Sequence, residues 1–337
     1  MTNPIRVGIV GATGYTALEA TRLLINHPNA TVVAATSRND AGKSLSDVHP
    51  SLSGRLDVEI TELNINALCN DCDVVLCCLP HGASAETVKQ LVQGGVRVID
   101  FSADFRLSNL ETYESWYGVK HPWPERIGSV VYGMPEFFSD EIRTADIVAN
   151  PGCYPTSAIL PLAPLLEASL IDPADIIIDS KSGVSGAGRS AKLATHYCEA
   201  NEAIAAYSVG THRHQPEIND LVERISGSTI ESVFTPHLTP MDRGILSTIY
   251  VRSNHDAADL IQCWRDRYAN SSFVHAVDHL PNTKFVQGTN HVQITARAAG
   301  NRVILVSAID NLTKGASGAA IQNLNVMFGL PENLGLT

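Results

Sequence analysis

The sequence has no block of lysine or arginine residues, and its formal net charge is −11. An acidic chain without a basic cluster does not suit a nucleic-acid partner or the surface of an anionic membrane. Low-complexity tracts are also missing, while apolar residues make up 44% and charged residues 18% of the 337 positions. These proportions exclude a disordered or fibrous protein and leave a globular chain long enough for two domains.

Long apolar runs are missing as well. No stretch approaches the roughly 20 apolar residues that cross a bilayer. The start, MTNPIRVGIVGATGY, lacks the basic region and the cleavage site of a signal peptide. The seven cysteines are odd in number and irregularly spaced, which is typical of a reducing compartment. We therefore expect a cytoplasmic protein without a membrane partner.

Cys69 and Cys72 form one C-x-x-C motif, which in other proteins serves redox chemistry or binds zinc. A second C-x-x-C, or a cysteine–histidine pair at zinc spacing, does not accompany it, and the motif leads directly into an apolar strand. We predict no metal in this chain.

The first 100 residues alternate apolar β-rich runs with helical patterns. Continuous apolar strands joined by helices predict a doubly wound, Rossmann-like parallel sheet with helices on both faces. After about residue 150, helical crossovers become rarer and the last apolar runs alternate or pair like antiparallel strands. This part predicts an α+β domain on a mixed, mostly antiparallel sheet.

The first strand runs into a glycine-rich turn that opens a helix, Gly8-Ile9-Val10-Gly11-Ala12-Thr13-Gly14. Small residues in such a turn let the backbone approach a pyrophosphate, whose charge lies at the helix N-terminus. The spacing is a variant of the usual G-x-G-x-x-G, and a strand–helix turn without a ligand is the alternative interpretation. We assign cofactor contacts to the turn and the helix start: Gly11, Ala12, Thr13, Gly14, Tyr15 and Thr16.

The residues at the end of the second strand distinguish an NAD site from an NADP site. An NAD site usually places Asp or Glu there to accept a hydrogen bond from the ribose, whereas this chain has Thr36, Ser37 and Arg38. A hydroxyl and a guanidinium suit a 2′-phosphate, so we predict NADP in contact with Ser37 and Arg38. At the end of the third strand, Pro80 and His81 of CCLPHGAS are further cofactor candidates. A turn or helix-cap role is the alternative for His81.

Cys153, in NPGCYPT, lies in a tight turn directly before a predicted helix. An ordinary thiol is only about 3% thiolate at pH 7, so a nucleophilic cysteine needs activation. Pro155 and Thr156 are typical of the first turn of a helix, which we expect to continue through Leu170. The positive end of that helix favours a thiolate at Cys153.

The segment THRHQPEIND supplies candidates for a base beside the thiol. His212 and His214 are two residues apart and would face the same side of an extended segment, with Arg213 pointing the other way. Glu217 is placed to orient an imidazole, and a cysteine with a positioned histidine is an activated nucleophile. Zinc is the alternative use of the histidine pair, although no third ligand stands out nearby.

A bound nicotinamide and a thiolate nucleophile together indicate one chemistry. The cysteine attacks an activated acyl carbon, a thioester forms, and hydride from the cofactor reduces it to an aldehyde. A plain alcohol dehydrogenase needs no thiol.

Several stretches that span nearly the whole length match one known family: GIVGATGYT (8–16), LPHG (79–82), DFSADFRL (100–107), YGMPE (132–136), NPGCYPT (150–156), SGVSGAGR (182–189), HRHQPEI (212–218), FTPHLTPMDRGI (234–245) and DNLTKGA (310–316). Through them the chain closely resembles the N-acetyl-gamma-glutamyl-phosphate reductase family of arginine biosynthesis, which is related to the aspartate-semialdehyde dehydrogenases. One departure is Ala17, where the family often has glycine.

The resemblance implies reduction of N-acetyl-L-glutamyl 5-phosphate by NADPH, through a thioester on Cys153, to N-acetyl-L-glutamate 5-semialdehyde and phosphate. It also implies a C-terminal helix that returns to the nucleotide domain. We expect an NADP-binding domain at 1–150, completed by a C-terminal helix at 314–337. A catalytic and oligomerisation domain follows at 151–313, and the expected assembly is a homotetramer or homodimer.

Within this resemblance, His212 is assigned as general base and acid, and His214 with Glu217 orients the site or binds substrate. Arg106 and Arg213 are candidates to hold the substrate carboxylate through two parallel hydrogen bonds. Surface ion pairs are the alternative role of both arginines.

The loop SGVSGAGRS offers hydroxyls and small residues that suit a phosphate surrounded by backbone amides. We assign Ser182, Ser185 and Arg189 to the substrate, with a flexible glycine loop as the alternative interpretation. Gly186 is grouped with the cofactor residues, and Asn311 resembles the family's contact on the nicotinamide side.

Three other functions are weighed against this one. A reductase for aspartyl phosphate has the same reaction class, and a panel of substrates distinguishes it. An NADP-binding redox sensor switched by Cys153 predicts cofactor binding without turnover, and it leaves the paired histidines unexplained. A cysteine hydrolase or acyl transferase makes no use of a nucleotide fold.

Overall fold

The computed structural model describes residues 3–336. The chain divides into two compact units, the first formed by Met1–Pro151 with Ala316–Thr337 and the second by Gly152–Gly315. Within the described residues, no helix is both long and apolar enough to cross a membrane.

The first unit is built on one sheet in which every neighbouring pair of strands is parallel. Its strands are β1 (Ile5–Val10), β2 (Ala30–Thr36), β3 (Ile60–Thr61), β4 (Val74–Cys77), β5 (Arg97–Asp100), β6 (Val131–Tyr132) and β7 (Ile147–Ala149). Its helices are α1 (Tyr15–Ile25), α2 (Leu45–Val48), α3 (Ile65–Asp71), α4 (Ala85–Gln93), α5 (Leu110–Tyr117), α6 (Pro135–Thr144) and α12 (Gly318–Met327). The strand order β3-β2-β1-β4-β5-β7-β6 confirms the predicted doubly wound sheet.

Helix α12 packs on α1, α6 and β5 of this unit, and every one of its residues is buried. A helix that is buried all round must satisfy its polar side chains internally. The amide nitrogen of Asn323 does so by donating to the Gly133 carbonyl over 2.9 Å and to Asn150 Oδ1 over 3.1 Å.

The helix at the end of the chain is shorter than the one expected at 314–337. A π-helical turn, Thr313–Ser317, precedes α12, which ends at Met327. Gly329 then has a left-handed φ of 68°, and Pro331 follows, so the helix cannot continue. Position 337 lies outside the described residues.

The second unit is also built on one sheet. Its strands are β8 (Ile176–Gly183), β9 (Ala205–Ala206), β10 (Ser232–Thr239), β11 (Ile245–Val251), β12 (Val274–Ala276), β13 (Val292–Ala299) and β14 (Arg302–Ile309). Its helices are α7 (Cys153–Glu167), α8 (Tyr197–Ala200), α9 (His214–Ser226), α10 (Ala257–Arg267) and α11 (Thr283–Val286). In the order β12-β13-β14-β11-β8-β10-β9, only β12–β13 and β8–β10 pair in parallel, which confirms a mixed, mostly antiparallel sheet.

Helix α7 packs on β11 and β14, and a chain of buried hydroxyls links it to β11 and β8. Ser247 Oγ lies 2.7 Å from both Ser157 Oγ on the helix and Ser180 Oγ on β8. Each hydroxyl is both donor and acceptor, so the chain satisfies itself without water. This contact fixes the helix that carries Cys153 to the centre of the sheet.

Two prolines lie inside α7, and the neighbouring helix compensates for one of them. Pro164 has no N–H to donate to the Leu160 carbonyl, and the Tyr268 hydroxyl donates to it instead over 2.7 Å. The helix ends at Glu167 rather than at the expected Leu170. Ser169 adopts a left-handed φ of 55°, which is incompatible with a continuing helix.

The face of this sheet opposite α7 carries a row of apolar side chains. Residues along β11 alternate between buried and half-buried, as the two-residue period of a strand requires. The register places Val233, Ile177, Tyr250 and Ile304 side by side across four strands. Val233 is 59% exposed, so part of this row faces solvent in a single chain.

Candidate active site

Cys153 is the first residue of α7 and is half-buried, with Gly152 as the N-cap at φ −73° and ψ 152°. The described first turn of α7 has no side-chain cap and no acidic residue. The Cys153 thiol therefore lies at the positive end of a 15-residue helix.

Glu217, in the first turn of α9, joins this helix start to the histidine pair. Its side chain is 1% exposed, and Oε1 accepts a hydrogen bond from the Gly152 N–H over 2.9 Å. Oε2 lies 4.0 Å from His214 Nε2. One buried carboxylate thus contacts both the turn of the cysteine and the second histidine.

His212 and His214 lie together, but the expected extended segment was wrong. Arg213, between them, has helical angles of φ −63° and ψ −16°. The His214 N–H donates to His212 Nδ1 over 3.1 Å, and the ring centroids are 4.8 Å apart. A tight turn closed by this backbone-to-ring hydrogen bond brings the rings together, so two-residue alternation does not apply.

Aromatic side chains that sequence reasoning missed surround His212. The ring centroids of Tyr154, Tyr207 and Phe234 lie 5.6, 5.5 and 5.3 Å from that of His212. Tyr207 Oη donates to Tyr154 Oη over 3.0 Å. The position of Tyr154 directly after Cys153 was the one signal in the sequence for this group.

Burial among these aromatic side chains shifts the pKa values of His212 and Tyr207. Burial, and then the charge of Arg213, lower the pKa of His212 from 6.5 to about 4, so the ring is neutral at pH 7. Burial raises the pKa of Tyr207 to about 12, which keeps this phenol protonated.

Gly315 is a second residue that sequence reasoning missed, although it lies in the DNLTKGA stretch. A Cβ atom at this position would lie 2.8 Å from Cys153 Cβ and 3.2 Å from its Cα. The Gly315 N–H donates to the Asp310 carbonyl over 2.9 Å. The Asp310 carboxylate in turn binds Arg243, with Nε and Oδ2 3.0 Å apart. This buried ion pair fixes the turn that packs against the cysteine.

The expected phosphate loop is held rigidly at one end. Ser185 Oγ donates to the Asp242 carbonyl over 2.6 Å and accepts from Asn311 Nδ2 over 3.1 Å. Asn311 Oδ1 accepts from the Gly244 N–H over 2.7 Å. Both ends of the Asn311 amide are therefore engaged within the second unit, and its contact with nicotinamide stays a prediction.

The other loop candidates lie nearby or on the surface. A Cβ at Gly186 would lie 3.0 Å from Ser182 Oγ, so these two positions are adjacent. Arg189 is exposed beyond the 3₁₀ turn Val184–Ala187, and Arg213 is exposed at the start of α9. Their contacts with substrate stay predictions.

The first unit carries the nucleotide candidates in the turn between β1 and α1. Gly11 has φ 80°, and a Cβ there would lie 2.6 Å from the Cys78 carbonyl oxygen. Gly14 is the N-cap of α1, and a Cβ there would meet nothing nearer than 3.9 Å. The described first turn of α1, which includes Tyr15 and Thr16, has no side-chain cap and no acidic residue. This turn fits a pyrophosphate.

The end of β2 fits the extra phosphate of NADP. Ser37 is half-buried and Arg38 is exposed directly after the strand. The first carboxylate, Asp40, comes two residues after Arg38 and pairs with Lys43 over 2.8 Å. A cationic and hydroxyl-bearing strand end suits a 2′-phosphate better than a ribose diol.

Pro80 and His81 are exposed in the turn after β4. His81 Nδ1 accepts a hydrogen bond from the Ala103 N–H over 2.9 Å. Arg106 is buried in the same unit and donates from Nη2 to the Phe101 carbonyl over 2.7 Å. The substrate role of Arg106 stays a prediction.

Among residues 3–336, no group of three or more His, Cys, Asp or Glu side chains is arranged to hold a metal ion. Cys69 and Cys72 are unbridged thiols, and burial raises the pKa of both, that of Cys72 to about 11.

Each of the two units matches a domain of a known protein family. Residues 6–145 match the family model described as "Semialdehyde dehydrogenase, NAD binding domain", and residues 153–311 match "Semialdehyde dehydrogenase, dimerisation domain". The chain is 68% identical over 339 residues to the N-acetyl-gamma-glutamyl-phosphate reductase of Rhodopirellula baltica, with 98% of each chain covered. It is 48% identical over 343 residues to that of Acinetobacter baylyi, with 99% of this chain and 98% of the relative covered.

Solved structures share the fold at low sequence identity. Aspartate semialdehyde dehydrogenase II of Vibrio cholerae, complexed with ASA, is 18% identical with a TM-score of 0.74, covering 97% of this chain and 99% of its own. Aspartate semialdehyde dehydrogenase with NADP from Candida albicans is 17% identical with a TM-score of 0.73, covering 98% and 99%.

Proposed function

Because the chain belongs to the semialdehyde dehydrogenase family, together with the N-acetyl-gamma-glutamyl-phosphate reductases, we propose the following reaction for it. The enzyme is an NADP-dependent oxidoreductase that reduces N-acetyl-L-glutamyl 5-phosphate to N-acetyl-L-glutamate 5-semialdehyde and phosphate in arginine biosynthesis. The observation that carries the proposal is the buried Glu217 carboxylate, which contacts both the start of the Cys153 helix and the histidine pair.

Cys153 is the nucleophile of this reaction. Its sulfur attacks the acyl carbon, the bond between that carbon and the phosphate oxygen breaks, and phosphate leaves with the electron pair. NADPH, when bound, supplies the hydride that reduces the resulting thioester. The tetrahedral adduct then expels the Cys153 thiolate and releases the aldehyde, which regenerates the free enzyme.

His212 donates a hydrogen bond to the acyl oxygen. Its Nδ1 accepts the His214 N–H, so the neutral ring carries its proton on Nε2. A neutral ring in this tautomer suits a hydrogen-bond donor to the oxygen on which negative charge develops in both steps. The same geometry disfavours His212 as the base for the Cys153 thiol, since Nδ1 is engaged, and leaves activation of the thiol to the start of α7.

The remaining candidates divide by unit. In the second unit, Ser182, Ser185 and Arg189 receive the phosphate, and Arg213 with His214 and Glu217 binds and orients the acyl substrate. Arg106 is the substrate candidate of the first unit. The cofactor residues are Gly11, Ala12, Thr13, Gly14, Tyr15, Thr16, Ser37, Arg38, Pro80 and His81 in the first unit, with Gly186 and Asn311 in the second.

We further infer that the first unit is the NADP-binding domain and that the second serves catalysis and assembly. The second unit matches a domain described as a dimerisation domain, and the apolar row opposite α7 supports a homodimer or homotetramer formed through this face. Unbridged thiols support a cytoplasmic location: Cys69, Cys72, Cys77, Cys78, Cys198 and Cys263.

Reverse turnover tests the proposal. Purified protein is given N-acetylglutamate semialdehyde, phosphate and NADP⁺, and the absorbance of NADPH is followed beside the variant Cys153→Ser. We expect phosphate-dependent NADPH formation that the variant loses. Turnover of aspartate semialdehyde instead would assign the related dehydrogenase activity, and NADP binding without any turnover would favour the redox sensor.

A further inference from the structure

The stretch DFSADFRL contains a buried carboxylate that organises a neighbouring loop of the first unit. Asp104 is 0% exposed. Its oxygens accept hydrogen bonds from the backbone N–H groups of Gly82, Ser84 and Ala85 over 2.7, 3.1 and 3.0 Å. The Tyr113 hydroxyl donates to the same carboxylate over 3.0 Å. Four donors therefore converge on one side chain.

A second buried carboxylate, that of Asp100, also binds this turn. Asp100 Oδ1 accepts from the Ser84 hydroxyl over 2.6 Å, and Asp100 Oδ2 accepts from the Ser102 hydroxyl over 2.6 Å. Burial, and then the charge of Asp104, raise the pKa of Asp100 to about 6. Ser84 bridges the two acids, with its N–H on Asp104 and its hydroxyl on Asp100.

The same stretch also orients the histidine of the turn. The Ala103 N–H donates to His81 Nδ1 over 2.9 Å, so the neutral ring carries its proton on Nε2. The His81 and Tyr117 rings pack edge to face, with centroids 5.9 Å apart.

These bonds replace a cap that the turn lacks by itself. The described start of α4 has no side-chain cap, and Ser84 and Ala85 are where a helix has N–H groups without intrahelical partners. Gly82 adopts a left-handed φ of 76°, which glycine reaches without steric cost and in which its N–H faces Asp104. A buried carboxylate is stable only when several donors surround it, so acid and turn stabilise each other.

We propose that Asp104 is a positioning residue for the cofactor, because it holds the turn 80–85 in the conformation that receives NADP. This inference rests on the proposed function in taking NADP as the cofactor. It adds a residue that contacts the backbone of the turn and acts through Pro80 and His81.

Titration of NADP into Asp104→Asn tests the proposal. We expect the dissociation constant for NADP to rise about tenfold, since hydrogen bonds to a charged acceptor are individually strong. The KM for NADP should rise in parallel, while kcat at saturating NADP and the alkylation rate of Cys153 stay within about twofold. Unchanged NADP binding in a folded Asp104→Asn would overturn the proposal.

Two control variants separate positioning from general damage. Tyr113→Phe removes one donor to Asp104 and leaves the bonds of the turn intact, so NADP binding should change by less than about twofold. Glu217→Gln alters a buried carboxylate of the second unit, and we expect it to change the alkylation of Cys153 and not the affinity for NADP. Equal losses of NADP affinity in Asp104→Asn and Glu217→Gln would contradict a local role for Asp104.

If Asp104→Asn fails to fold, hydrogen exchange of the wild-type protein tests whether the turn 80–85 is held in place. The amides of Gly82, Ser84 and Ala85 should exchange far more slowly than an unstructured peptide even before NADP is added. Exchange at the peptide rate would overturn the proposal. Neither binding nor exchange requires turnover, so a protein that binds NADP but reduces no acyl phosphate would refute the proposed function alone.

Discussion

At the scale of single residues, the candidate site combines a thiol at a helix start with a histidine that stays neutral. The field of α7 favours a charged sulfur, whereas burial and Arg213 disfavour a charged imidazole. The two groups therefore need not exchange a proton before the substrate binds. The surroundings of the two groups therefore favour different charge states, a thiolate at Cys153 and a neutral ring at His212.

The first prediction concerns the acidity of His212. Its folded pKa of about 4 lies below the ordinary 6.5, so acid destabilises the protein as the pH falls from 6.5 towards 4. We expect Arg213→Gln to raise this pKa by less than about one unit, because Arg213 is exposed and water screens its charge. Histidine NMR titration measures both values. A wild-type pKa near 6.5 would contradict a neutral, buried ring.

The second prediction concerns the contact between Gly315 and Cys153. Gly315→Ala would force Cys153 aside, which should lower stability by about 1–3 kcal/mol and kcat about 100-fold. Gly300→Ala is the control, since Gly300 has a left-handed φ of 61° and no atom within 4 Å of an added Cβ. It should cost about 1 kcal/mol of strain and leave kcat unchanged. Thermal unfolding and steady-state kinetics compare the two; equal kcat values would contradict the prediction.

At the scale of elements, the two helix starts are alike in chemistry. The described first turns of α1 and α7 have glycine as the N-cap, no side-chain cap and no acidic residue. We propose that the start of α1 receives a phosphate of the cofactor, whereas the start of α7 carries Cys153, with the Glu217 carboxylate on its N-cap amide.

The third prediction concerns the turn before α1. Gly11→Ala would place a methyl group against the Cys78 carbonyl oxygen. Neither the new Cβ nor this backbone oxygen can move by a side-chain rotation, so the turn itself must shift. We expect NADP affinity to fall at least about 100-fold, since the backbone of this turn must approach the pyrophosphate closely.

Gly42→Ala is the matched control for Gly11→Ala. Gly42 has a similar φ of 87° but no atom within 4 Å of an added Cβ. It should show only about 1 kcal/mol of backbone strain and bind NADP normally. Isothermal titration calorimetry measures the affinity of both variants for NADP. Similar affinities in the two variants would exclude crowding as the reason for Gly11.

At the scale of the whole molecule, the second unit presents an apolar row on the face opposite α7. The row consists of Val233, Ile177, Tyr250 and Ile304. Partly exposed apolar side chains that lie side by side across a sheet are typical of an interface. Assembly through this face would bury the row.

The fourth prediction follows from that row. Ile177→Glu should lower the mass of the assembly, because a carboxylate in an apolar interface loses its water without gaining a partner. Leu63→Glu is the control, since Leu63 is 46% exposed in the first unit. Light scattering after size exclusion measures the mass, and circular dichroism shows that both variants fold. A wild-type mass for Ile177→Glu would exclude this face.

Much of the fold could be predicted from the sequence, because sheet type follows from local pattern. Continuous apolar strands joined by helices gave the parallel sheet, and alternating strands gave the mixed one. The turn after β1 and the helix start at Cys153 were likewise visible, since glycine and proline mark such places locally. The histidine segment was not predicted correctly, because a turn closed by a ring nitrogen leaves no periodic signal.

The sequence by itself determined the types of element, the nucleophile candidate and the chemistry that a thiol and a nucleotide site share. Only the tertiary structure decided which residues support them. Glu217 meets Gly152 across 65 positions, and Asp104 meets Gly82 across 22. Such contacts depend on how helices and loops pack, and packing is set by the sum of many weak interactions that no short stretch encodes.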